Sequence, residues 1–132
     1  MHKKFKISKN KIYDFLQIEP TPTTEEITKF YSDEFYSGDF KKFNDSSLEV
    51  QLEDKNFYEE NWENIFQNIK KISKLNLDKD KSILDVGCGW GLALEFFKKK
   101  GFECYGFDPA PEAVDYAKKR GINVKLAGID GM

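Results

Sequence analysis

The sequence predicts an α/β protein with a parallel sheet, and three observations support that prediction. Eight of the nine glycines follow residue 80, and only Gly38 precedes it. In the same region, short apolar runs alternate with helical patterns of about ten residues, and strands joined in this way pair in parallel through right-handed crossovers. Apolar residues make up 39% of the 132-residue chain, which is enough for one hydrophobic core at this size. We therefore expect one folded unit preceded by an N-terminal extension.

Residues 1–55 are interpreted as this extension, and its clearest element is an aromatic helix. Thr23 and Glu26 have the S/T-x-x-E spacing, in which a side chain and the backbone satisfy each other's free N–H groups at a helix start. Apolar and aromatic residues then recur to about Tyr36, where we expect the helix to end. The polar stretch 41–54 has no sequence-based assignment.

Residues 56–132 are interpreted as the N-terminal half of a sheet domain that begins with a helix over 56–76. Large apolar side chains recur in this helix at steps of four and three residues, which places them on one face. We expect that stripe to pack into the core; it consists of Tyr58, Trp62, Ile65, Ile69 and Ile72.

Three strands follow, near 82–86, 103–107 and 123–127. The first strand ends in the glycine loop Gly87-Cys-Gly-Trp-Gly91, and the second ends at Asp108. A helical pattern follows each of these two strands. The alternation predicts an α/β sheet of the Rossmann-like kind.

The glycine loop and Asp108 form the candidate ligand site. Glycines let the backbone turn from strand to helix and come close to a ligand, which would lie beyond the carboxyl ends of the strands. Asp108 follows Gly87 by 21 residues, and a carboxylate there can accept hydrogen bonds from the hydroxyls of a ribose. The alternative for Asp108 is an N-cap of the next helix, and both roles can coexist.

Two classes of ligand fit this loop, and two residues separate them. A dinucleotide site has the pattern G-x-G-x-x-G/A with a small third residue, whereas Leu92 stands at that position here. Asp85 lies two residues before the first glycine, where its carboxylate would repel a pyrophosphate but suit a cationic group. The sequence therefore favours S-adenosylmethionine, and an NAD-dependent oxidoreductase is the disfavoured alternative.

These residues resemble the motifs of the class I S-adenosylmethionine-dependent methyltransferases. Segment 83–91 is similar to the first motif of that family, D-x-G-x-G-x-G, and segment 106–109 is similar to the second. The resemblance implies a Rossmann-like three-layer fold, S-adenosylmethionine as cofactor and S-adenosylhomocysteine as product. In the family, the first acid and the glycines hold the methionine portion, the second acid binds the ribose, and the next residue packs on the adenine. The implied cofactor contacts are Asp85, Gly87, Cys88, Gly89, Gly91, Asp108 and Pro109. For Cys88 the alternative is a small filler in the core.

Segment 22–36 resembles the region that precedes many bacterial methyltransferases acting on sugars or small metabolites. In those proteins the segment forms a lid over the cofactor, so the resemblance implies cofactor contacts from Tyr31 and Tyr36. Aromatic faces can stabilise a sulfonium by cation–π attraction of about 0.5–2 kcal/mol. The alternative is that Tyr31, Phe35 and Tyr36 only pack in the core at the end of a helix.

The family's sheet has further strands that this sequence does not show. In the family strand order 3-2-1-4-5-7-6, the strand at 82–86 would have an unpaired apolar edge, which soluble proteins avoid. We therefore expect either a fragment of a longer enzyme, truncated after the third strand, or a partner chain over that edge, such as a second copy in a homodimer. The residues that hold the methyl acceptor usually follow the fourth strand, so no catalytic residue is named.

Composition limits the remaining classes of partner. Twenty-one basic and 23 acidic side chains give a net charge of −2, which predicts no nucleic-acid partner. Two cysteines imply no disulfide framework and favour the cytoplasm, and no apolar run is long enough for a membrane span. His2 has no neighbouring ligand for a metal. The sequence thus predicts a cytoplasmic methyltransferase acting on a small metabolite or sugar. The alternative is a non-catalytic cofactor-binding or vestigial module that works through a partner chain.

Overall fold

A computed structural model describes residues 5–35, 47–72 and 82–128 of the chain. The strand and helix alternation predicted after residue 80 is confirmed, and the strands end within one residue of their predicted ends. The elements in chain order are β1 (Lys6–Lys9), β2 (Leu16–Glu19), α1 (Thr24–Phe30), a π-helix (Tyr31–Phe35), α2 (Leu48–Glu53), α3 (Lys55–Ile72), β3 (Ser82–Val86), α4 (Leu92–Lys99), β4 (Glu103–Asp108), α5 (Pro111–Lys119) and β5 (Asn123–Leu126).

Strands β3, β4 and β5 form a parallel sheet in that order. Asp85 of β3 lies opposite Gly106 of β4, and Gly106 lies opposite Val124 of β5. Val86 pairs with Phe107 at the carboxyl ends of the first two strands. Because parallel strands end at the same edge of the sheet, the residues that follow β3 and β4 come together there.

The main core lies between this sheet and the helices. Leu94 and Val114 are its largest fully buried side chains, and burial of such an aliphatic side chain stabilises the fold by about 1.5–3 kcal/mol. The helices α4 and α5, the strands β4 and β5 and the turns that precede α4, β4 and β5 supply the cluster. It consists of Cys88, Leu94, Phe97, Phe102, Cys104, Val114, Ala117, Ile122 and Val124.

Helix α3 joins this core through Trp62, which belongs to the predicted stripe, and through Phe66, which does not. Trp62 and Phe66 pack against the core, and the ring centroid of Trp62 lies 5.7 Å from that of Phe96. A helix buries the side chains that face its neighbour, and the neighbour here is α4. The prediction that the isoleucines of α3 pack into the core is therefore wrong, because all three are exposed: Ile65, Ile69 and Ile72.

The other face of the sheet is open in the part of the chain that the structure describes. Leu84 and Val86 point to that face and are 59% and 53% exposed, whereas Ile83 and Asp85 point toward the helices and are half-buried. Among the described strands, β3 pairs only with β4. Of the three layers that the resemblance implies, the described residues therefore form two.

The N-terminal extension contains a β-hairpin that the sequence analysis missed. Strands β1 and β2 are antiparallel, with Ile7 opposite Ile18. Asn10 closes the turn, because its side-chain oxygen accepts hydrogen bonds from the backbone N–H groups of Ile12 and Tyr13 at 2.9 and 3.0 Å. Each strand has only four residues, which is too short for an alternating pattern to stand out among the lysines.

The predicted capping box at the start of α1 is confirmed. The N–H of Glu26 donates to Oγ1 of Thr23 at 3.2 Å, and the N–H of Thr23 donates to Oε2 of Glu26 at 2.9 Å. The helix then widens into the π-helix at Tyr31 instead of continuing as α-helix. There the Ser32 hydroxyl donates to the carbonyl of Thr28 at 2.9 Å, and such bonds compete with the regular backbone pattern. Helix α2 lies in the stretch that had no sequence-based assignment.

Candidate functional site

Asp108, at the carboxyl end of β4, joins three parts of the site. Its side chain is only 5% exposed. Oδ2 accepts a hydrogen bond from the N–H of Gly89 at 2.8 Å, and Oδ1 accepts one from the N–H of Ala110 at 2.9 Å. The carboxylate therefore ties the glycine loop to β4 and to the start of α5. A carboxylate oxygen can accept two hydrogen bonds, so each of these atoms has a second acceptor position.

The N-cap role considered for Asp108 is wrong. Ala110 is the N-cap residue of α5, and no side chain caps that helix. Asp108 instead binds the N–H of this N-cap residue, two positions along the chain. Pro109 lies between them and is half-buried. The short turn from β4 to α5 thus leaves the carboxylate at the edge of the sheet.

Backbone N–H groups of the glycine loop bind acceptors of the protein itself at Gly87, Cys88, Gly89 and Gly91. Those of Gly87 and Cys88 both donate to the carbonyl of Phe107, at 2.9 and 3.1 Å, and that of Gly91 donates to the carbonyl of Cys88 at 2.9 Å. The N–H of Gly89 is bound to a carboxylate as described above. A pyrophosphate site, by contrast, presents such amides to its ligand. This arrangement disfavours a dinucleotide.

The three glycines of the loop are required by the backbone conformation. Gly87, Gly89 and Gly91 have φ angles of 78°, 50° and 72°, a region that glycine occupies without steric cost. Gly91 also has a packing requirement, because a Cβ there would lie 3.0 Å from the Cβ of Ala117 in α5. Glycine at these positions therefore lets the chain turn sharply from β3 into α4.

Asp85 is the second carboxylate of the site. It is half-buried near the end of β3, on the side of the sheet that faces the helices. Burial raises the pKa of its carboxyl group, and the nearby charge of Asp108 raises the pKa further. A positive charge close to both groups would oppose these effects. The electrostatics at this edge therefore favour a cationic ligand group.

Cys88 places its side chain in the main core. The thiol is buried, and burial together with the carboxylates of Asp108 and Asp85 raises its pKa to about 12. The backbone N–H of Cys88 is bound to Phe107. The side chain fits the alternative of a small core filler, and a cofactor contact from Cys88 stays a prediction.

A second core cluster lies beside the glycine loop and centres on Trp90, which is only 6% exposed. The cluster also contains Ala110 and Ala113, both fully buried at the start of α5. Tyr31 and Phe35 of the π-helix pack against this cluster, with their ring centroids 5.0 Å apart. The aromatic helix and the glycine loop are therefore in contact.

Trp90 was not among the predicted site residues, although its position between two loop glycines was a signal for it. Tyr31 lies against the cluster as the core-packing alternative requires, and its contact with a cofactor stays a prediction. Tyr36, the other tyrosine of the predicted lid, lies outside the described residues. In the described ranges, no group of histidine, cysteine, aspartate and glutamate side chains could hold a metal ion, and no helix could cross a membrane.

A family model described as a methyltransferase domain matches residues 57–128. This match covers more than half of the chain. The chain belongs to this family of methyltransferase domains. The matched range runs from α3 to just beyond β5, so it includes both carboxylates and the glycine loop, whereas Tyr31 and Tyr36 precede it.

Individual relatives match the methyltransferase domain over part of their length. A protein described as an uncharacterized RNA methyltransferase of Oceanobacillus iheyensis is 32% identical over 63 residues, which are 48% of this chain and 13% of that protein. Structures of the plantazolicin methyltransferase BpumL in complex with SAH, one of them with a pentazolic desmethylPZN analog, are similar with a TM-score of 0.57 and 24% identity. Those matches cover 80% of this chain and 40% of BpumL. The likeness supports the Rossmann-like fold, and the chain spans less than half the length of these relatives.

Proposed function

We propose that this methyltransferase domain binds S-adenosylmethionine, whose methyl group is transferred to a small metabolite or sugar. The proposal rests on one observation, the placement of two carboxylates beside a glycine loop in which the amides of Gly87, Cys88, Gly89 and Gly91 are already bound. Asp85 and Asp108 lie at adjacent strand ends, while the bound loop N–H groups donate to Phe107, Asp108 and Cys88. Such a site suits a ligand with a cationic group and hydroxyls, and it does not suit a pyrophosphate.

In this proposal the two carboxylates have different roles. Asp108 uses the second acceptor position on each oxygen to bind the two hydroxyls of the ribose, while its first positions hold Gly89 and Ala110. Asp85 faces the cationic end of the cofactor. Desolvation raises the pKa of Asp85 because burial disfavours its ionised form. A neighbouring positive charge would stabilise the ionised carboxylate, and the carboxylate would in turn stabilise that charge.

The other site residues provide space and exclude water. Gly87, Gly89 and Gly91 let the backbone approach the methionine portion without side chains in the way. Pro109 packs against the adenine, and the aromatic lid with Tyr31 and Tyr36 excludes water from the site. When bound, S-adenosylmethionine supplies an electrophilic methyl group, and the acceptor must be held in line with it.

A small metabolite or sugar is the proposed acceptor because segment 22–36 resembles the lid segment of methyltransferases that act on such compounds. The relatives suggest competing acceptors, since BpumL is described with desmethylPZN analogs and the Oceanobacillus iheyensis protein as an RNA methyltransferase. An RNA acceptor is less favoured because the net charge of this chain is −2.

The second candidate function is a cofactor-binding module that works through a partner chain. The open face of the sheet favours this candidate, since Leu84 and Val86 are exposed beside the unpaired edge of β3 in the described structure. A second copy of the chain is the proposed partner. Sedimentation velocity would show a dimer that dissociates in Leu84→Lys, and a monomer at all concentrations would contradict this proposal.

Cofactor binding is tested by isothermal titration calorimetry with S-adenosylmethionine and S-adenosylhomocysteine, with NADH as the competing ligand. We expect micromolar binding of the first two, no binding of NADH, and loss of binding in Asp108→Ala. Asp115→Ala is the matched control, because Asp115 is exposed on α5. Binding of NADH in preference to the other two ligands would overturn the proposal.

Acceptor class is tested by transfer of a labelled methyl group to separate pools of sugars, small metabolites, peptides and RNA. Label in the first two pools supports the proposed acceptor, whereas label only in peptide or RNA contradicts it. Cofactor binding without transfer to any pool favours the module that works through a partner chain.

A further inference from the structure

We propose that Trp90 couples the lid segment, defined as Thr24–Phe35, to the cofactor loop, so that cofactor binding and lid docking strengthen each other. This inference rests on the proposed function, because it requires a cofactor at the glycine loop. It assigns Trp90 a positioning role that acts through the loop backbone, and it does not require Trp90 to touch the cofactor.

Trp90 lies within the cofactor loop itself. The residue stands between Gly89 and Gly91, whose positive φ angles define the loop conformation. Its indole is buried in the second core cluster, with the Tyr116 ring perpendicular to it at 5.7 Å. The backbone that would approach the cofactor is therefore held from the other side by a large buried side chain.

The second core cluster is also linked to Asp108. Gly89, which precedes Trp90, donates to one carboxylate oxygen of Asp108, and Ala110, a member of the cluster, donates to the other. A shift of the indole would therefore disturb both hydrogen bonds of the residue proposed to bind the ribose. The cluster and the carboxylate form one connected unit.

The lid, in turn, docks on the same cluster. Neither α1 nor the π-helix has a fully buried residue, and Ile27 and Phe30 are exposed. Tyr31 and Phe35 are half-buried because they pack against the Trp90 cluster. The docked position of the lid thus depends on the same side chain that holds the loop.

Coupling of this kind is reciprocal. A cofactor that stabilises the loop conformation also stabilises the cluster on which the lid docks, and docking of the lid strengthens cofactor binding by the same factor. The π-helix adds a reason to expect a functional role, because such single turns occur frequently at functional sites.

Limited trypsin digestion of the whole chain measures lid docking directly. Lys29 lies in the last turn of α1 and reports on the lid, whereas Lys11 in the hairpin turn serves as the control site. With saturating S-adenosylhomocysteine, we expect cleavage after Lys29 to slow by about 5-fold or more, and cleavage after Lys11 to stay unchanged. In Trp62→Phe, Trp90 is the single tryptophan, and its fluorescence should change in the same titration.

A double-mutant cycle separates coupling through Trp90 from direct contact between the lid and the cofactor. We expect Phe35→Ala to weaken S-adenosylhomocysteine binding by about 5-fold in the wild-type background and to have no effect in the Trp90→Leu background. Phe57→Ala is the control, because Phe57 is an exposed aromatic residue on α3. Trp90→Phe is a milder second variant in case the leucine variant does not fold.

The outcomes distinguish this inference from the proposed function. Absence of S-adenosylhomocysteine binding to the folded wild-type chain overturns the proposed function, and the coupling with it. Binding without protection at Lys29, or an equal effect of Phe35→Ala with and without Trp90, overturns the coupling alone. Protection of Lys29 by S-adenosylhomocysteine, together with a non-additive Phe35/Trp90 cycle, supports both the proposed function and the coupling.

Discussion

The carboxylate of Asp108 and the backbone amide of Gly89 are joined by a 2.8 Å hydrogen bond, although the two residues are 19 positions apart in the chain. The bond connects the end of β4 to the loop that follows β3, across the edge where the ligand is proposed to bind. Asp108 is therefore both a proposed ligand residue and part of the support of the loop. Substitutions there are expected to change stability as well as binding.

Replacement of Asp108 should lower stability in a graded way. Asp108→Ala leaves the N–H groups of Gly89 and Ala110 without their acceptor, and each orphaned buried donor costs about 1–3 kcal/mol. Asp108→Asn keeps one acceptor oxygen, so its free energy of unfolding should lie between those of the alanine variant and the wild type. Urea denaturation measures all three values.

The control for this series is Asp115→Asn, which changes the net charge by the same amount at an exposed position of α5. Its free energy of unfolding should match that of the wild type. If Asp108→Ala unfolds at the same urea concentration as this control, the two hydrogen bonds do not support the loop.

Asp85→Asn should increase stability at neutral pH. Burial first, and then the nearby Asp108, raise the pKa of Asp85 above its ordinary value of 3.8. As the pH rises from 3.8 to the raised pKa, the unfolded chain loses this proton while the folded protein keeps it, so the free energy of unfolding falls. Above the raised pKa the folded protein carries the full cost of burying an ionised carboxylate. The asparagine variant has no charge at this position and does not carry that cost.

The measurement is urea denaturation of the wild type and Asp85→Asn at about pH 7 and at about pH 4. At the higher pH, the free energy of unfolding should be larger for the variant than for the wild type. At the lower pH, the difference between the two values should be smaller. A variant that is less stable than the wild type at neutral pH would contradict the assignment of a desolvated carboxylate. The same variant should bind S-adenosylmethionine less tightly, because it lacks the charge that faces the cation.

The two cysteines should resist alkylation in the native protein. Burial and two neighbouring carboxylates raise the pKa of Cys88 to about 12, and burial raises the pKa of Cys104. The thiolate is the reactive form, so iodoacetamide at about pH 8 should modify both at least about 100-fold more slowly than in urea. Ser82→Cys supplies an exposed thiol in β3 as the control. Rapid modification of Cys88 in the folded chain would show that it is accessible at the loop.

Gly106→Ala should destabilise the domain because no space exists for a methyl group. A Cβ at this position would lie 2.6 Å from Cδ1 of Leu94 and 2.9 Å from Sγ of Cys88. Overpacking of a core costs typically about 1–3 kcal/mol, and thermal or urea unfolding measures that loss. Gly128→Ala is the matched control, because a Cβ at Gly128 would have no neighbour within 4 Å. Equal stability of the two variants would contradict the close packing of β4 against the loop.

The sheet and its loop were predictable because their signals are local. Glycines at 87, 89 and 91 have backbone angles that other residues rarely adopt, and the apolar run before them is short enough to be a strand. The capping box at Thr23 is also local, since both of its partners lie within one helical turn. In each case the physical requirement and the residues that meet it are close together in the chain.

The hairpin and the π-helix were not predictable from such signals. Strands β1 and β2 are four residues long and mix lysines with isoleucines, so no alternating pattern extends far enough to be recognised. The π-helix involves a hydroxyl of Ser32 bound to a backbone carbonyl, and a serine within a helical pattern does not specify that bond.

Spacing along the chain determined that the loop, Asp85 and Asp108 would meet at one edge of a parallel sheet, because a parallel sheet brings its carboxyl ends together whatever the details of packing. Tertiary packing determined which side chains are buried. Trp62 and Phe66 face α4 while the isoleucines of the same helix are exposed, and Cys88 turns into the core while Trp90 becomes the contact between loop and lid. A helix or loop residue can point in several directions, and only the neighbouring element selects one of them, so these outcomes depend on contacts between residues far apart in the sequence.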